Sequence, residues 1–264
     1  MSGALRPSAL VLGAITTVVA FILYSPLLVP ILSSFFTVAR GQVDWTSPTL
    51  SAYAALIRND EILAALRATL IVGFSTVVLS VTLGTLLALY HHGRGLGAPL
   101  LQFLVFLPFL MPPIITGLSL LIFFREVDFP RSLVTVVIGH TVFVLTIVYR
   151  TVLTRLQSLS PTLIEASHDL GANGVQTFFR VILPNIAAAM AGGAVLAFAL
   201  SFDETMITIL VTGTTSTLPV RLWAMMRLGF SPDINALVAL VLLFTILLSV
   251  LAGQLLIGPR SRRG

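Results

Sequence analysis

The feature that most constrains how this chain can fold is a succession of long stretches without a charged side chain. They run from Pro7 to Ala39, Ala68 to Tyr90, Gly95 to Phe124, Ser132 to Tyr149, Val181 to Phe202 and Ile234 to Pro259. About 20 apolar residues in a helix cross a hydrocarbon core of about 30 Å. Each run therefore predicts one membrane-spanning helix, at about 9–36, 68–90, 96–124, 132–149, 185–202 and 235–257. The fourth is the shortest and contains His140, yet at 1.5 Å per residue it still reaches about 27 Å. The first run follows Arg6 but is far longer than the apolar part of a secretory signal, so it is expected to stay as a helix.

Composition agrees with lipid as the solvent. The chain is 57% hydrophobic and 9% charged, where a soluble domain carries roughly a quarter charged residues. The apolar runs leave no room for a separate water-soluble core, so residues 1–264 are expected to form a single all-α membrane domain. There is no cysteine, which excludes disulfides, thiolate metal sites and cysteine nucleophiles. All 15 basic residues are Arg, so the chain has neither a phosphate-gripping P-loop lysine nor a Schiff-base lysine. The net charge of +5 comes from arginines flanking apolar runs rather than from a basic face interleaved with aromatics, which argues against nucleic acid.

The arginines also suggest an orientation. With six crossings and a cytoplasmic N-terminus, Arg6, Arg94, Arg150, Arg155, Arg180, Arg260, Arg262 and Arg263 lie inside, against Arg40, Arg58, Arg67, Arg125, Arg131, Arg221 and Arg227 outside. Both termini and the tight turn from His91 to Gly95 are then basic and cytoplasmic. Of the acids, only Glu165 and Asp169 fall inside. This is an N-in, C-in arrangement, with long outer connections at about 37–67 and 203–233 and one long inner connection at 150–184. Long loops of this kind usually carry function.

The inner connection is the most informative segment. Ser160 at an N-cap position, Pro161 at the first helical position and Gly171 just past the end predict a short helix of about ten residues. Asn173 with Gln176 three residues on is a capping-box pattern for a second helix, and Val175, Phe178, Phe179 and Ile182 give that helix an apolar face. Pro184 is expected to end it or kink it into the fifth crossing. Two short helices about a glycine corner make a knob below the membrane. Either a partner docks on it or it is a connector resting on its own bundle.

The residues Glu165-Ala166-Ser167, Gly171 and Val181-Ile182-Leu183-Pro184 resemble the Glu-Ala-Ala loop of binding-protein-dependent ABC importer permeases. In that pattern Glu-Ala-Ala is followed after three residues by Gly, and after nine more by Ile, any residue and Leu-Pro. The spacing fits throughout. Ser167 replaces the last Ala and Val181 the Ile. The resemblance extends over almost the whole chain and is nearest to the spermidine/putrescine branch, through Trp45 to Asp60, Leu200 to Glu204, Leu218 to Arg221 and Gly229 to Leu237.

The resemblance implies a type I importer permease fold in a bacterial inner membrane. It also implies a second permease subunit, forming a heterodimer, two ATPase subunits beneath and a periplasmic or extracellular solute-binding protein. ATP and Mg would be bound by the ATPase, with no cofactor in this chain and no enzymatic site of its own. Residues Glu165, Ala166, Ser167, Asp169, Gly171, Leu183 and Pro184 would form the coupling site that transmits ATPase closure. Asp203 and Glu204, with Trp223, are candidates for a pathway taking a cationic polyamine, since carboxylates near bilayer depth rarely lack a role. The plain alternative for the acids is a helix end surfacing into solvent, and for Trp223, Trp45 and Tyr53 interfacial anchoring.

Two further classes are weaker. An ion-coupled secondary transporter needs a deep ionisable group, and His140 is the only candidate; a lone histidine bonded to a neighbour is the simpler reading. An intramembrane enzyme needs a nucleophile with a base or a ligand cluster, and no such motif occurs. His168 and Asp169 are adjacent in sequence, which on a helix points them apart. Pro112-Pro113 and Gly192-Gly193 read as bundle geometry, a helix break and a close packing surface.

Overall fold

The computed structural model describes residues 7–39, 42–228 and 232–256. Arg6, Arg40, Gly229 to Ser231 and the C-terminal Arg260, Arg262 and Arg263, used above, lie outside the described residues. The chain divides into two compact units, Met1–Asp60 with Ala224–Leu248, and Glu61–Trp223 with Ser249–Gly264.

The first unit opens with helix α1, Pro7–Ser33, whose side chains are almost all exposed, as a lipid-facing helix requires. The apolar run predicts helix to residue 36, but α1 stops at Ser33. The Ser34 hydroxyl donates to the Ile31 carbonyl, one of the groups that the helix end leaves open, and the Ser33 hydroxyl donates to the Val29 carbonyl. An antiparallel hairpin follows, β1 (Phe36–Ala39) with β2 (Gln42–Pro48), then α2 (Ser51–Ile57). Within β2, Asp44 accepts from the Thr46 hydroxyl and backbone N–H. These donors, the hydroxyl first, hold its carboxyl below the ordinary carboxylate range. Tyr53 of α2 bonds Ser34 at 2.6 Å and packs on Phe35, while Trp45 packs on Phe36 and is more than half exposed.

Helix α3 spans Asp60–His92, beginning eight residues before its apolar run. Asp60 and Glu61 fall in the first turn, where the positive end of the helix dipole favours acids, so charge there does not interrupt the helix. Glu61 pairs with Arg221, tying this end to α11 (Leu218–Leu228). The third apolar run is two helices, α4 (Ala98–Leu110) and α5 (Pro113–Glu126), bent by 107°. Pro112 holds Met111 in an extended conformation, ψ 144°, and is itself extended at ψ 136°. Neither residue can continue a helix, and Pro113 starts the next one without needing an N–H donor.

Helix α6 (Leu133–Gln157) starts at a Ser132–Thr135 capping box and runs well past the predicted end at 149. The inner connection holds α7 (Pro161–Asp169) and α8 (Gly174–Thr177), then a π-helical turn, Phe178–Ile182, that leads directly into α9 (Leu183–Asp203). Pro184 therefore neither ends nor breaks the helix. The π turn shifts the hydrogen-bond register, with the Leu183 N–H reaching the Phe178 carbonyl, and so absorbs the proline that follows. The second outer connection contains α10 (Met206–Val211) and α11, and the chain continues through α12, Pro232–Leu256.

Among the described residues, four helices are long and apolar enough to cross a membrane, and the bent α4–α5 pair passes the same test only when its two halves are taken together. Helix α12 occupies the sixth apolar run. The core of the second unit is the contact between α6 and α9. Val148 of α6 fits between Gly84 of α3 and Gly193 of α9, where an added Cβ would stand 3.1 Å and 3.7 Å from the Val148 Cβ. Small residues thus bring the three backbones together, the usual basis of helix association in lipid.

Candidate functional site

Two places in the second unit carry the residues singled out above. They sit at opposite ends of the α6–α9 helix pair.

The first is the knob. Helix α7 ends in a Schellman arrangement: the Gly171 N–H reaches the His168 carbonyl at 2.8 Å and the Ala172 N–H reaches that of Ser167 at 3.1 Å. This needs a left-handed residue at the corner, and Gly171 has φ +79°. The capping box of α8 forms as predicted, with Asn173 accepting from the Gln176 N–H at 2.9 Å and Gln176 accepting from the Asn173 N–H at 3.0 Å. Ser160 is in cap geometry, but its hydroxyl bonds the Thr162 hydroxyl instead of a backbone N–H.

Glu165, Ala166, Asp169 and Gly171 are exposed, Ser167 is buried, Leu183 is half-buried and Pro184 is exposed. The predicted apolar face is turned mostly outward: Val175 and Phe179 are exposed, as are Leu163 of α7 and, at 89%, Leu170. Leu183 and Pro184 belong to the stem of α9 rather than to the knob itself. At the stem, the Arg155 Nε–H donates to the Asn185 carbonyl at 2.9 Å, and Ile186 packs in one core with Val152, Leu153 and Leu156. The knob is thus fixed to the end of the helix pair.

Of the two residues that depart from the Glu-Ala-Ala pattern, Ser167 has a partner that the sequence does not disclose. Buried Ser167 shares a hydrogen bond of 2.9 Å with Thr177, joining α7 to α8 across the glycine corner. A buried hydroxyl left alone costs about 1–3 kcal/mol, whereas removing both members of a pair can be nearly neutral. Thr177→Val is therefore expected to destabilise the loop by about 1 kcal/mol. Adding Ser167→Ala should return most of that loss. Hydrogen exchange over residues 166–178 measures both, and strictly additive losses would mean that the bond contributes nothing.

The second place is the corner between α9 and α10. The adjacent acids Asp203 and Glu204 do not act as a pair: Asp203 is exposed, whereas Glu204 is 9% exposed. Helix α9 ends at Asp203, and Glu204, already extended at ψ 112°, leaves the helical path, so the two side chains lie on different parts of the corner. The Glu204 carboxylate accepts the Ile207 N–H at 2.9 Å, a bond that satisfies the open first turn of α10. An acid three residues ahead of Ile207, at the head of the apolar run Met206 to Val211, was the signal that marks a helix start. Trp223 is half-buried in α11.

Behind this corner lies a group of side chains that only the fold brings together. His140 of α6, 1% exposed, has Nδ1 2.8 Å from the Ser201 hydroxyl and Nε2 2.8 Å from the Thr208 hydroxyl. The simple reading of His140 as a bonded core histidine agrees with this placement. Among the described residues no three His, Asp or Glu side chains are arranged to hold a metal ion.

Residues 80–263 match the family described as binding-protein-dependent transport system inner membrane component. The spermidine/putrescine transport system permease protein PotC of Escherichia coli K12 is 32% identical over 253 residues, covering 95% of this chain and 94% of that protein. The putrescine transport system permease protein PotI of the same strain is 34% identical, covering 83% of this chain and 81% of that protein. In fold, the chain is similar to a bacterial ABC transporter that imports alginate, with a TM-score of 0.74 at 15% identity over 96% of this chain and 99% of the other. It is also similar to the MetNI methionine ABC transporter, with a TM-score of 0.61 at 20% identity over 78% and 96%. The type I permease fold and the multi-pass membrane location follow. With most of its length matched, this chain belongs to the binding-protein-dependent transport system inner membrane components, the permease subunits of ABC importers.

Proposed function

We propose that this chain is one of two unlike permease subunits of an ATP-driven importer whose cargo is a polyamine such as spermidine or putrescine. A solute-binding protein delivers the cargo from outside, and ATPase subunits, which bind ATP and Mg, dock on the cytoplasmic knob. The chain itself holds no cofactor and hydrolyses nothing.

The observation that carries this reading is the knob. It is internally braced, it exposes Glu165 beside the apolar Leu163 and Leu170, and it is rooted in the helix pair that ends at Asp203. A groove on an ATPase that takes α7 would gain apolar contact and one charge. Movement of the knob would pass along α9, about 31 Å for 21 residues, to the outer corner. The cargo class rests on the exposed Asp203 carboxylate and on the likeness to PotC and PotI. A carboxylate at the mouth of a low-dielectric path attracts a chain of amines and repels anions.

Uptake of radiolabelled putrescine into vesicles holding the assembled transporter and its binding protein tests both parts. Uptake should require ATP inside. Asp203→Asn should raise the KM about tenfold, the equivalent of one lost ionic contact of about 1.4 kcal/mol, while Glu204→Gln should mainly reduce the amount of assembled protein. ATP-independent uptake refutes the importer reading, and equal KM values refute the role of Asp203.

A further inference from the structure

The strongest unexplained group in the molecule is the buried imidazole of His140, and its bonds can be assigned a direction. The Thr208 hydroxyl has one proton, and it is given to the Glu204 carbonyl at 3.0 Å, since a carbonyl only accepts. In its contact with His140, Thr208 must therefore accept, so Nε2 carries the ring proton. Both ring nitrogens face hydroxyls, so the buried imidazole is held neutral, because an unpaired charge is costly away from water. Nδ1 then has a free lone pair and accepts from the Ser201 hydroxyl. The donors run one way: Ser201 to His140, His140 to Thr208, Thr208 to the Glu204 backbone.

The two ends of this chain lie on either side of one turn. Ser201 is in the last turn of α9 and Thr208 is in α10, with Asp203, Glu204 and Thr205 between them. His140, reaching in from α6, closes the corner from behind. We infer that His140, as the neutral Nε2–H imidazole, is the positioning residue that fixes the α9–α10 corner and so sets where Asp203 is presented. The inference rests on the proposed role of Asp203 for its functional consequence, but the protonation and the bonds stand independently. It also explains why this histidine is no proton carrier in transport: the proton on Nε2 and the lone pair on Nδ1 are both already committed.

Substitutions divide the two bonds. Asn at position 140 can keep an acceptor near Ser201 but falls short of Thr208; Gln can keep a donor toward Thr208 but not the acceptor; Phe keeps bulk and neither bond. The test uses the intact transporter, with its partner subunits, reconstituted in lipid. In nitrogen spectra of histidine-labelled protein, the signals lost in His140→Gln should be an unprotonated Nδ1 and a protonated Nε2. The first should shift in Ser201→Ala and the second in Thr208→Val. A protonated Nδ1 or an imidazolium overturns the inference.

In putrescine uptake, His140→Phe should raise the KM about tenfold, matching Asp203→Asn, with the maximal rate per assembled complex within about twofold of the unmodified protein. His140→Asn and His140→Gln should fall between. In the double variant His140→Phe with Asp203→Asn, the KM should be no higher than in either single variant, because one acts through the other. Multiplying effects, or a loss of maximal rate at unchanged KM, overturn the positioning role. If Asp203→Asn alone leaves the KM unchanged, it is the cargo reading that falls, and the nitrogen spectra still decide the imidazole.

Discussion

Replacing Gly171 by valine is expected to leave a transporter that assembles and hydrolyses ATP but moves little cargo per ATP. The corner has φ +79°, and an added Cβ would meet nothing within 4 Å, so the damage is to the backbone and not to packing. A left-handed conformation costs a non-glycine residue roughly 1–2 kcal/mol, and a β-branched side chain lies at the unfavourable end. The chain can relieve that cost by opening the Schellman turn, which gives up the Gly171–His168 and Ala172–Ser167 bonds. Helix α7 would then be hinged to α8, held by the Ser167–Thr177 bond and by the contact of the His168 ring with the Ala172 carbonyl. If the ATPase docks on α7 as proposed, a hinged knob would follow it without pulling on α9. The measurement is the ratio of putrescine taken up to ATP hydrolysed, expected to fall about tenfold or more for a hinge opened by 1.4 kcal/mol or more. Gly171→Ala should fall between the two. Glu165→Ala, which leaves the corner intact, should weaken docking and lower hydrolysis and uptake together. If Gly171→Val keeps the unmodified ratio, the corner transmits no force.

What could be read in advance, and what could not, follows from the range of the interactions. The six apolar runs, the cap of α8 and the left-handed Gly171 depend on residues within a turn or two of each other, and all are visible in order along the chain. The break at Pro112-Pro113 is equally local. The uncharged run places the start of α3 too late, at 68, because charge need not end a helix. In fact a helix continues beyond the hydrocarbon wherever water reaches it, and Asp60 and Glu61 suit its first turn. Two adjacent acids can face one pathway only if the helix does not end between Asp203 and Glu204, and it does end there. The bonds Ser167–Thr177, His140–Ser201 and His140–Thr208 join residues 10, 61 and 68 positions apart. Nothing in a hydroxyl's immediate sequence says which distant hydroxyl or ring it will meet.

The placement of α10 is a case of packing that sequence could not reveal, and it makes the second large prediction. Ile207 is wholly buried between α5 and α6 because both neighbours are glycines there. A Cβ on Gly117 would lie 3.1 Å from the Ile207 Cα and 2.9 Å from the Leu210 Cδ1; on Gly139 it would lie 2.7 Å from the Ile207 Cγ2. The two contacts differ in kind. The first involves backbone, which yields only if α10 moves as a whole, while the second involves a side-chain methyl group. Overpacking of this sort costs about 1–3 kcal/mol where neighbours can adjust and more where they cannot. Gly117→Leu is therefore expected to displace α10, breaking the His140–Thr208 bond and the Glu204 cap with it, and to reduce folded permease in the membrane at least tenfold. Gly139→Ala should be milder. Adding Ile207→Ala removes the methyl group that Gly139→Ala meets but leaves the Cα that Gly117→Ala meets. The loss in the Gly139→Ala double variant should thus be smaller than the sum of its singles, and that in the Gly117→Ala double variant should not. Yield of monodisperse detergent-extracted complex and its thermal midpoint read both, and the reverse order would show that α10 does not lie between these two glycines.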